Sequence, residues 1–219
     1  AASGAKGDPV YVDDVFSTYL HYGTGSAETI INGIDLDGEG GLIWLKNRSH
    51  ARIGSFHDTE RGVKKRLVPS TDDSENTVGA SAGLSSFNSN GFSLAGGGNG
   101  WNASGEEYVY WSFRKQPGFF SVVTYTGTGN AGTAQTISHN LDSAPAVILV
   151  KNRSSNQDWL VFSKDTSQPH NKYLKLNDNV SEQNYDNIWG PNSYLPTTTE
   201  FKVDHIANES GDSYVAYLF

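Results

Sequence analysis

The chain of 219 residues contains neither cysteine nor methionine. Without cysteine, disulfides and thiolate metal sites are excluded. A secreted eukaryotic domain of this size would often carry a disulfide, so the absence is typical of a bacterial or viral protein. The lack of any methionine, including an initiator, is what we expect of a processed chain or a fragment.

Positive charge and long apolar runs are also scarce. The 16 Lys and Arg residues are outnumbered by 24 Asp and Glu, which gives a net charge of -8. Nucleic acids and anionic membranes both attract clusters of Lys and Arg, and no apolar run approaches the roughly 20 residues that span a bilayer. We therefore expect no nucleic-acid partner and no membrane insertion, and instead a protein or a neutral carbohydrate as partner.

The chain contains extensive internal repeats. Several segments recur in the same order roughly 105 residues further along the chain. Segments 16–17 and 23–25 match 120–121 and 127–129, respectively, and segment 42–49 matches 147–154. Residues 58–59 match 165–166, Leu67 matches Leu174, and segment 102–113 matches 208–219. The sequence thus predicts a tandem duplication, with an N-terminal arm at 1–15, a first repeat at 16–114, a linker at 115–118 and a second repeat at 119–219.

Each repeat has the pattern of an all-β unit. Residues 41–46 and 146–151 are continuous apolar runs of strand length, which predict central strands buried on both faces. Aromatic and β-branched residues fill 107–113 and 213–219, and Asn90 followed by Gly91 predicts a hairpin turn. We expect two tandem units of β-sandwich or jelly-roll-like form, with one short helical turn at 181–187.

Three loop motifs suggest chemistry, and each has a simpler structural interpretation. Residues 35–40 have the oxygen-rich look of a calcium loop but lack the distal Glu, so a solvated turn is favoured. The repeated Lys-Asn-Arg-Ser at 46–49 and 151–154 is either an anion site or the solvated end of a buried strand, and we favour the strand end. The N-x-Ser matches, Asn102 among them, are interpreted as turn asparagines.

Trp101 is the candidate ligand contact. With Asn99 and Asn102 it lies in a Gly- and Asn-rich loop, where an indole ring can stack on a sugar. The structural alternative is that Trp101 caps the sandwich. The other tryptophans are expected in the core or half-buried in strands: Trp44, Trp111, Trp159 and Trp189.

No catalytic constellation stands out. His57 and Asp58 precede Glu60, but no nucleophile motif accompanies them. Glu106 and Glu107 are adjacent on a predicted strand, so their side chains are expected to point to opposite faces. We therefore predict that the protein is not an enzyme and holds no cofactor and no metal.

The N-terminal residues are expected to form an assembly arm. Residues 1–9 are small, Gly-rich and outside the repeat, a composition typical of an arm that orders on a partner. The arm residues singled out for assembly are Asp8, Pro9 and Tyr11.

The chain resembles virion structural proteins of marine tailed phages. The segments that carry this resemblance are 11–17 (YVDDVFS), 32–36 (NGIDL), 41–46 (GLIWLK), 87–92 (FNSNGF), 111–120 (WSFRKQPGFF), 122–127 (VVTYTG), 138–141 (SHNL) and 214–219 (YVAYLF). The resemblance implies a protein of the virion exterior, in a tail fibre, an appendage or a head decoration, located on the extracellular particle surface.

Three functions follow for testing. The first is a virion structural protein that contacts other virion proteins and forms a homo-oligomer, a trimer by analogy with phage appendages. The second is a carbohydrate-binding module that recognises a host surface glycan through loop aromatics such as Trp101. The third, a glycan-degrading enzyme, requires two carboxylates that meet in a cleft.

Overall fold

The computed structural model describes residues 9–96, 100–129 and 132–219, and these form mainly short antiparallel strands. In chain order the strands are β1 (Phe16–Tyr22), β2 (Glu28–Ile31), β3 (Gly41–Asn47), β4 (Ser55–Asp58), β5 (Lys65–Arg66), β6 (Asn76–Thr77), β7 (Leu84–Asn88), β8 (Gly91–Leu94), β9 (Glu107–Arg114), β10 (Ser121–Thr126), β11 (Gln135–Ser138), β12 (Val147–Asn152), β13 (Leu160–Ser163), β14 (Lys172–Lys175), β15 (Gln183–Asn184), β16 (Glu200–Val203) and β17 (Ser213–Leu218). The helices are α1 (Val12–Val15) and a 3-10 turn, His205–Ala207. In these described ranges no helix has the length and apolarity needed to cross a membrane.

The strands form two large sheets and three small ones, and every pairing is antiparallel. The first large sheet has the order β1–β9–β3–β4, and the second has the order β10–β17–β12–β13–β14–β15. The small sheets are β2–β8–β7, β11–β16 and β5–β6. The predicted all-β class is therefore confirmed, and the hairpin predicted at Asn90 and Gly91 joins β7 to β8.

The two large sheets share one pairing register over their first four strands. The corresponding cross-strand pairs are His21–Tyr108 and Tyr125–Tyr214, Tyr108–Asn47 and Tyr214–Asn152, and Leu42–Asp58 and Val147–Ser163. In this register Asp58 lies opposite Leu42 as Ser163 lies opposite Val147, whereas the match on sequence identity pairs Asp58 with Asp165.

Three hydrophobic clusters hold the sheets together. One lies between the first large sheet and β2–β8–β7, and includes Ile30, Ile43, Leu45, Phe92, Tyr108 and Tyr110. A second lies between the second large sheet and β11–β16, and includes Ile137, Ile148, Phe162, Phe201, Tyr214 and Leu218. The third joins the two large sheets to each other, and includes Leu42, Phe56, Phe120, Val122, Trp159, Val215 and Tyr217.

This layering explains the continuous apolar strands. In β17, Tyr214, Ala216 and Leu218 enter one cluster while Val215 and Tyr217 enter another. A strand covered on both faces has no solvated side and so shows no polar alternation.

The predicted central strands behave in the same way, since Ile43 of β3 and Ile148 of β12 each enter the cluster of their own sheet while Leu42 and Leu149 face the third cluster. Burial on both faces is therefore confirmed except at Lys46, which is exposed at the end of β3.

One local prediction was wrong in detail. The segment 181–187 is not a helical turn, because Lys172 of β14 pairs with Asn184 of β15. Helix α1 lies inside the predicted N-terminal arm, and its Val15 is only 4% exposed. The end of the arm is therefore packed against the fold, whereas Pro9 and Tyr11 are exposed.

Candidate functional site

Asn102, a predicted ligand contact, serves as a loop clamp. It is 2% exposed, and its Oδ1 accepts hydrogen bonds from the backbone N–H of Thr24 at 2.9 Å and from the ring of His21 at 3.2 Å. Its Nδ2 donates to the carbonyl of Ser26 at 2.8 Å. Asn208 binds the backbone N–H of Thr128 in the same way. Asn102 and Asn208 each stand just before a turn, but their side chains bind a loop about 80 residues away in the chain, which accounts for the Asn-x-Ser-Gly motif.

The Lys-Asn-Arg-Ser motif is also structural at its centre. Asn47 and Asn152 are each 2% exposed. The Oδ1 of Asn47 accepts from the backbone N–H of Ser49 and His50. The Oδ1 of Asn152 likewise accepts from the backbone N–H of Ser154 and Ser155. The two lysines differ, since Lys46 is exposed whereas Lys151 is fully buried and donates to the carbonyls of Asp72 and Gln157. Burial lowers the pKa of Lys151 to about 8.

Trp101 is half-buried and fixed from two sides. Its Nε1–H donates to Nε2 of His57 at 3.3 Å, and the guanidinium of Arg66 lies 5.5 Å from the centre of its ring. Its partner in the prediction, Asn99, lies outside the described residues, as does the arm residue Asp8. The structure therefore places Trp101 beneath an arginine, a neighbour that sequence reasoning did not identify.

His57, Asp58 and Glu60 do not converge. His57 is buried and donates from Nδ1 to the carbonyl of Val63, which leaves Nε2 to accept from Trp101. Burial lowers the pKa of His57 to about 3, so the ring is neutral. Asp58 binds Arg61, whereas Glu60 pairs with Lys115 at 2.7 Å. The three side chains thus have separate structural partners.

Asp58 belongs to a buried ion network that joins the two large sheets. Its Oδ2 accepts from Nε of Arg61 and from the hydroxyl of Tyr217, both at 2.6 Å. Arg61 also reaches Glu75 at 3.2 Å, and Glu75 accepts from Arg153 at 2.8 Å. Burial raises the pKa of Glu75, but the hydrogen bond from Arg153 and the charge of Arg61 outweigh it, so the pKa is lowered overall. The network is internally paired and clamps β4 to β17.

The adjacent carboxylates point in opposite directions, as predicted. Glu106 is buried, where it accepts from Asn47 and Arg52, both at 2.6 Å. The hydrogen bond from Arg52 lowers the pKa of Glu106 to about 2. Glu107 instead accepts from the exposed Tyr22 at 2.8 Å. The two carboxylates do not share a cleft.

The loop at 35–40 adopts a turn closed by its own aspartate. The Oδ1 of Asp35 accepts from the backbone N–H of Gly38 at 2.8 Å. In the part of the chain that the structure describes, no group of three or more His, Cys, Asp or Glu side chains is placed to hold a metal ion.

An apolar cleft opens where the first large sheet meets the turn at Pro69 and Ser70 and the residue that follows β14, Leu176. We call it the aromatic cleft; it has a volume of about 330 Å³. Its lining is Trp44, Lys46, Gly54, Pro69, Ser70, Trp111 and Leu176. The rings of Trp44 and Trp111 are 5.1 Å apart, and both are half-buried. The expectation that these two tryptophans are half-buried is confirmed, but the sequence did not show that they line one cleft.

Exposed apolar side chains continue from this cleft along the edge strand β1. Thr18 pairs with Trp111 and Leu20 with Val109, and directly opposed residues share a face of the sheet. Leu20 is 60% exposed, and Tyr22 on the same side of β1 is 69% exposed. Further exposed apolar side chains lie in the N-terminal arm: Val10 (48%), Tyr11 (63%) and Val12 (71%).

Residues 12–219 match a protein family described as Domain of unknown function (DUF7483). No curated protein matches the chain, and no solved structure does.

Proposed function

The chain belongs to the DUF7483 family, and we propose that it is a structural protein of a phage virion exterior that works through protein–protein contacts. The resemblance to virion proteins suggests the setting. The observation that carries the assembly role is the exposed apolar surface formed by the aromatic cleft and by Leu20 and Tyr22 of β1. Exposed apolar surface of this kind is typical of interaction sites.

The chemistry of the cleft favours a protein over a sugar. Its lining is mainly apolar, and the Nζ of Lys46 already donates to the carbonyl of Arg52 at 2.7 Å. A sugar ring needs several polar groups for its hydroxyls, whereas an apolar side chain of a protein partner needs a dry pocket with aromatic walls. Tryptophans in such pockets are frequent anchors of protein interfaces. We propose a neighbouring copy of the chain as the occupant, within a homo-oligomer.

The proposal includes a tandem arrangement of two β-sandwich units, 16–114 and 119–219, joined by 115–118. The shared register of the two large sheets supports it, as does the separate hydrophobic cluster in each half. The duplicated clamps of Asn102 and Asn208 are a further support. Residues 115–118 form a tight turn, in which Phe119 N–H donates to the carbonyl of Gln116.

Light scattering of the purified chain tests the assembly role. We expect an oligomer, and we expect Leu20→Asp to reduce its mass toward the monomer, because a charge on the apolar edge opposes burial. The matched control is Ile53→Asp, since Ile53 is 53% exposed and does not line the aromatic cleft. A monomeric native chain, or equal effects of the two variants, would contradict the assembly surface.

Localisation on purified phage particles tests the virion role separately. We expect the chain on the particle surface, where labelled antibody detects it by electron microscopy. Absence of the chain from particles would contradict the virion proposal even if the chain assembles in solution. A position on the head or on the tail decides between a decoration and a fibre.

Glycan recognition is the second candidate function. A polar cleft that contains Arg66, supported from below by Trp101, favours it. This site differs from the aromatic cleft in both position and chemistry.

A further inference from the structure

Arg66 lies in a small polar cleft at the boundary between the two halves of the chain. The cleft has a volume of about 280 Å³ and is lined by Arg66, Val68, Asp73, Ser74, Asn76 and Asn156. This volume is close to the lower end of the range for ligand pockets, about 300 Å³, so the cleft suits one small ring. We call it the Arg66 cleft.

The side chain of Arg66 has no hydrogen-bonding partner among the described residues. Its Nε is buried without an acceptor, although a buried donor normally has one. The nearby arginines behave differently, because Arg61 and Arg153 both bind Glu75. Burial lowers the pKa of Arg66, and the nearby charge of Asp73, which acts in the opposite direction, offsets only part of this effect. Because Nε itself is buried, an acceptor from outside the chain would reach the terminal nitrogens of the guanidinium, for which no partner is present among the described residues.

The guanidinium of Arg66 is held in place by the residues beneath it. It lies over the ring of Trp101 at 5.5 Å, within the usual range of a cation–π contact. Trp101 is fixed in turn by its hydrogen bond to the buried His57 at 3.3 Å. A charged group that is positioned before a ligand arrives binds with a smaller loss of conformational entropy.

The remaining polar groups of the cleft suit sugar hydroxyls. The Oδ1 of Asn156 accepts from the backbone N–H of Ser74 at 2.9 Å, which fixes the amide and leaves its NH₂ group available. Asn76 and the Ser74 hydroxyl also line the cleft. Amide and hydroxyl groups both donate and accept, as sugar hydroxyls require, whereas an acidic peptide side chain would need the arginine alone.

We propose that the Arg66 cleft binds a sugar that carries a carboxylate, with the guanidinium of Arg66 on the carboxylate and Asn76, Asn156 and Ser74 on the hydroxyls. The planar fork of an arginine matches the two oxygens of a carboxylate. This inference rests on the second candidate function, glycan recognition, and is independent of the assembly role. Asp73 lies in the same cleft, and its charge weakens the binding of an anion.

Titration by NMR tests the inference on the native chain. Glucuronate is added while the Nε–H resonance of Arg66 is followed in a ¹H–¹⁵N spectrum, with glucose as the neutral counterpart. Acetate and N-acetylglutamate methylamide represent a simple anion and an acidic peptide side chain. We expect saturable shifts with glucuronate and, at equal concentrations, much smaller shifts with the other three compounds.

Two substitutions are expected to act in opposite directions. Arg66→Gln should weaken glucuronate binding about tenfold or more, because it removes charged hydrogen bonds. Asp73→Asn should strengthen glucuronate binding several-fold, because it removes a like charge. The control is Arg48→Gln, an exposed site outside the cleft that changes the net charge equally. The Asp73 variant keeps the test decisive if Arg66→Gln fails to fold.

Each remaining outcome rejects a defined part of the inference. Glucose binding as strong as that of glucuronate would overturn the carboxylate assignment but leave glycan recognition standing. Equal binding of acetate or of the glutamate derivative would overturn the assignment to a sugar. Absence of binding by all four compounds would overturn both the inference and the second candidate function.

Discussion

Replacing Asp58 with asparagine examines the buried network that joins the two large sheets. Asp58 and Arg61 both have fully buried side chains. The carboxylate accepts from the Nε and the backbone N–H of Arg61 and from the hydroxyl of Tyr217. An asparagine at this position would keep the shape of the side chain while removing the charge that faces Arg61.

The expected loss of stability follows from the burial of the arginine. Breaking a buried ion pair by removal of one partner costs about 3–5 kcal/mol, because the other charge stays buried and poorly compensated. Glu75 contacts the same guanidinium at 3.2 Å and offsets part of this cost. We therefore expect Asp58→Asn to lower the free energy of unfolding by about 3 kcal/mol.

Urea unfolding followed by circular dichroism measures this loss. The matched control is Asp165→Asn, at the position that sequence identity aligned with Asp58. The side chain of Asp165 is 78% exposed, so its replacement should change stability by no more than about 0.5 kcal/mol. A double-mutant cycle of Asp58→Asn with Tyr217→Phe should give a coupling energy between about 0.5 and 3 kcal/mol.

Two results would refute this reasoning. Equal effects of Asp58→Asn and Asp165→Asn would mean that the buried charge is not needed for stability. Additive effects of the Asp58 and Tyr217 substitutions, within about 0.5 kcal/mol, would mean that the contact between β4 and β17 does not couple the two halves.

Three further predictions concern the loops and the buried histidine. Gly23→Ala and Gly127→Ala should each destabilise the fold by about 2 kcal/mol or more in thermal unfolding, since a Cβ would lie 2.1 Å from the carbonyl oxygen of Ala103 or of Glu209, respectively. Gly79→Ala is the neutral control, because a Cβ there meets nothing within 4 Å. Asn102→Ala and Asn208→Ala should each lower the free energy of unfolding in urea by about 1–3 kcal/mol, whereas Asn179→Ala on the exposed surface should leave it almost unchanged. Equal effects of the three substitutions would contradict the role of Asn102 and Asn208 as loop clamps. His57 has a pKa of about 3 in the folded chain against an ordinary value of 6.5, so the unfolded chain takes up the proton first as the pH falls. The stability contributed by the neutral His57 is therefore complete above pH 6.5 and is lost as the pH falls toward 3. His57→Gln should flatten this dependence of stability on pH, and an unchanged pH profile would contradict the assigned role of His57.

The strands and turns could be predicted because their causes are local. The apolar runs at 41–46 and 146–151 identify strands buried on both faces whatever packs against them. Asn47 and Asn152 are predictable as turn residues because a short amide side chain binds backbone N–H groups two and three residues further on. The segment 181–187 was mispredicted as a helical turn, since its strand forms only through pairing with β14.

The candidate sites depend on contacts between residues far apart in the chain. Trp101 was singled out as a loop aromatic, but its neighbours His57 and Arg66 come from the strands β4 and β5. Trp44 and Trp111 were assigned to strands, but Pro69 and Leu176 complete the cleft from other segments. Such neighbours depend on how sheets pack, and no local pattern encodes that packing.

Local sequence patterns are enough to predict the β class, the positions of the main strands and the turns at Asn47 and Asn152, because strand patterning and turn chemistry act over a few residues. Only the folded chain shows that Asp58 meets Tyr217, that Asp58 and Ser163 hold the same register position in their sheets, and that the Nε of Arg66 lacks an acceptor while its guanidinium lies over Trp101. The physical reason is that strand register and sheet packing bring together groups separated by tens to more than a hundred residues. Burial then decides which of those groups are paired and which stay available to a ligand.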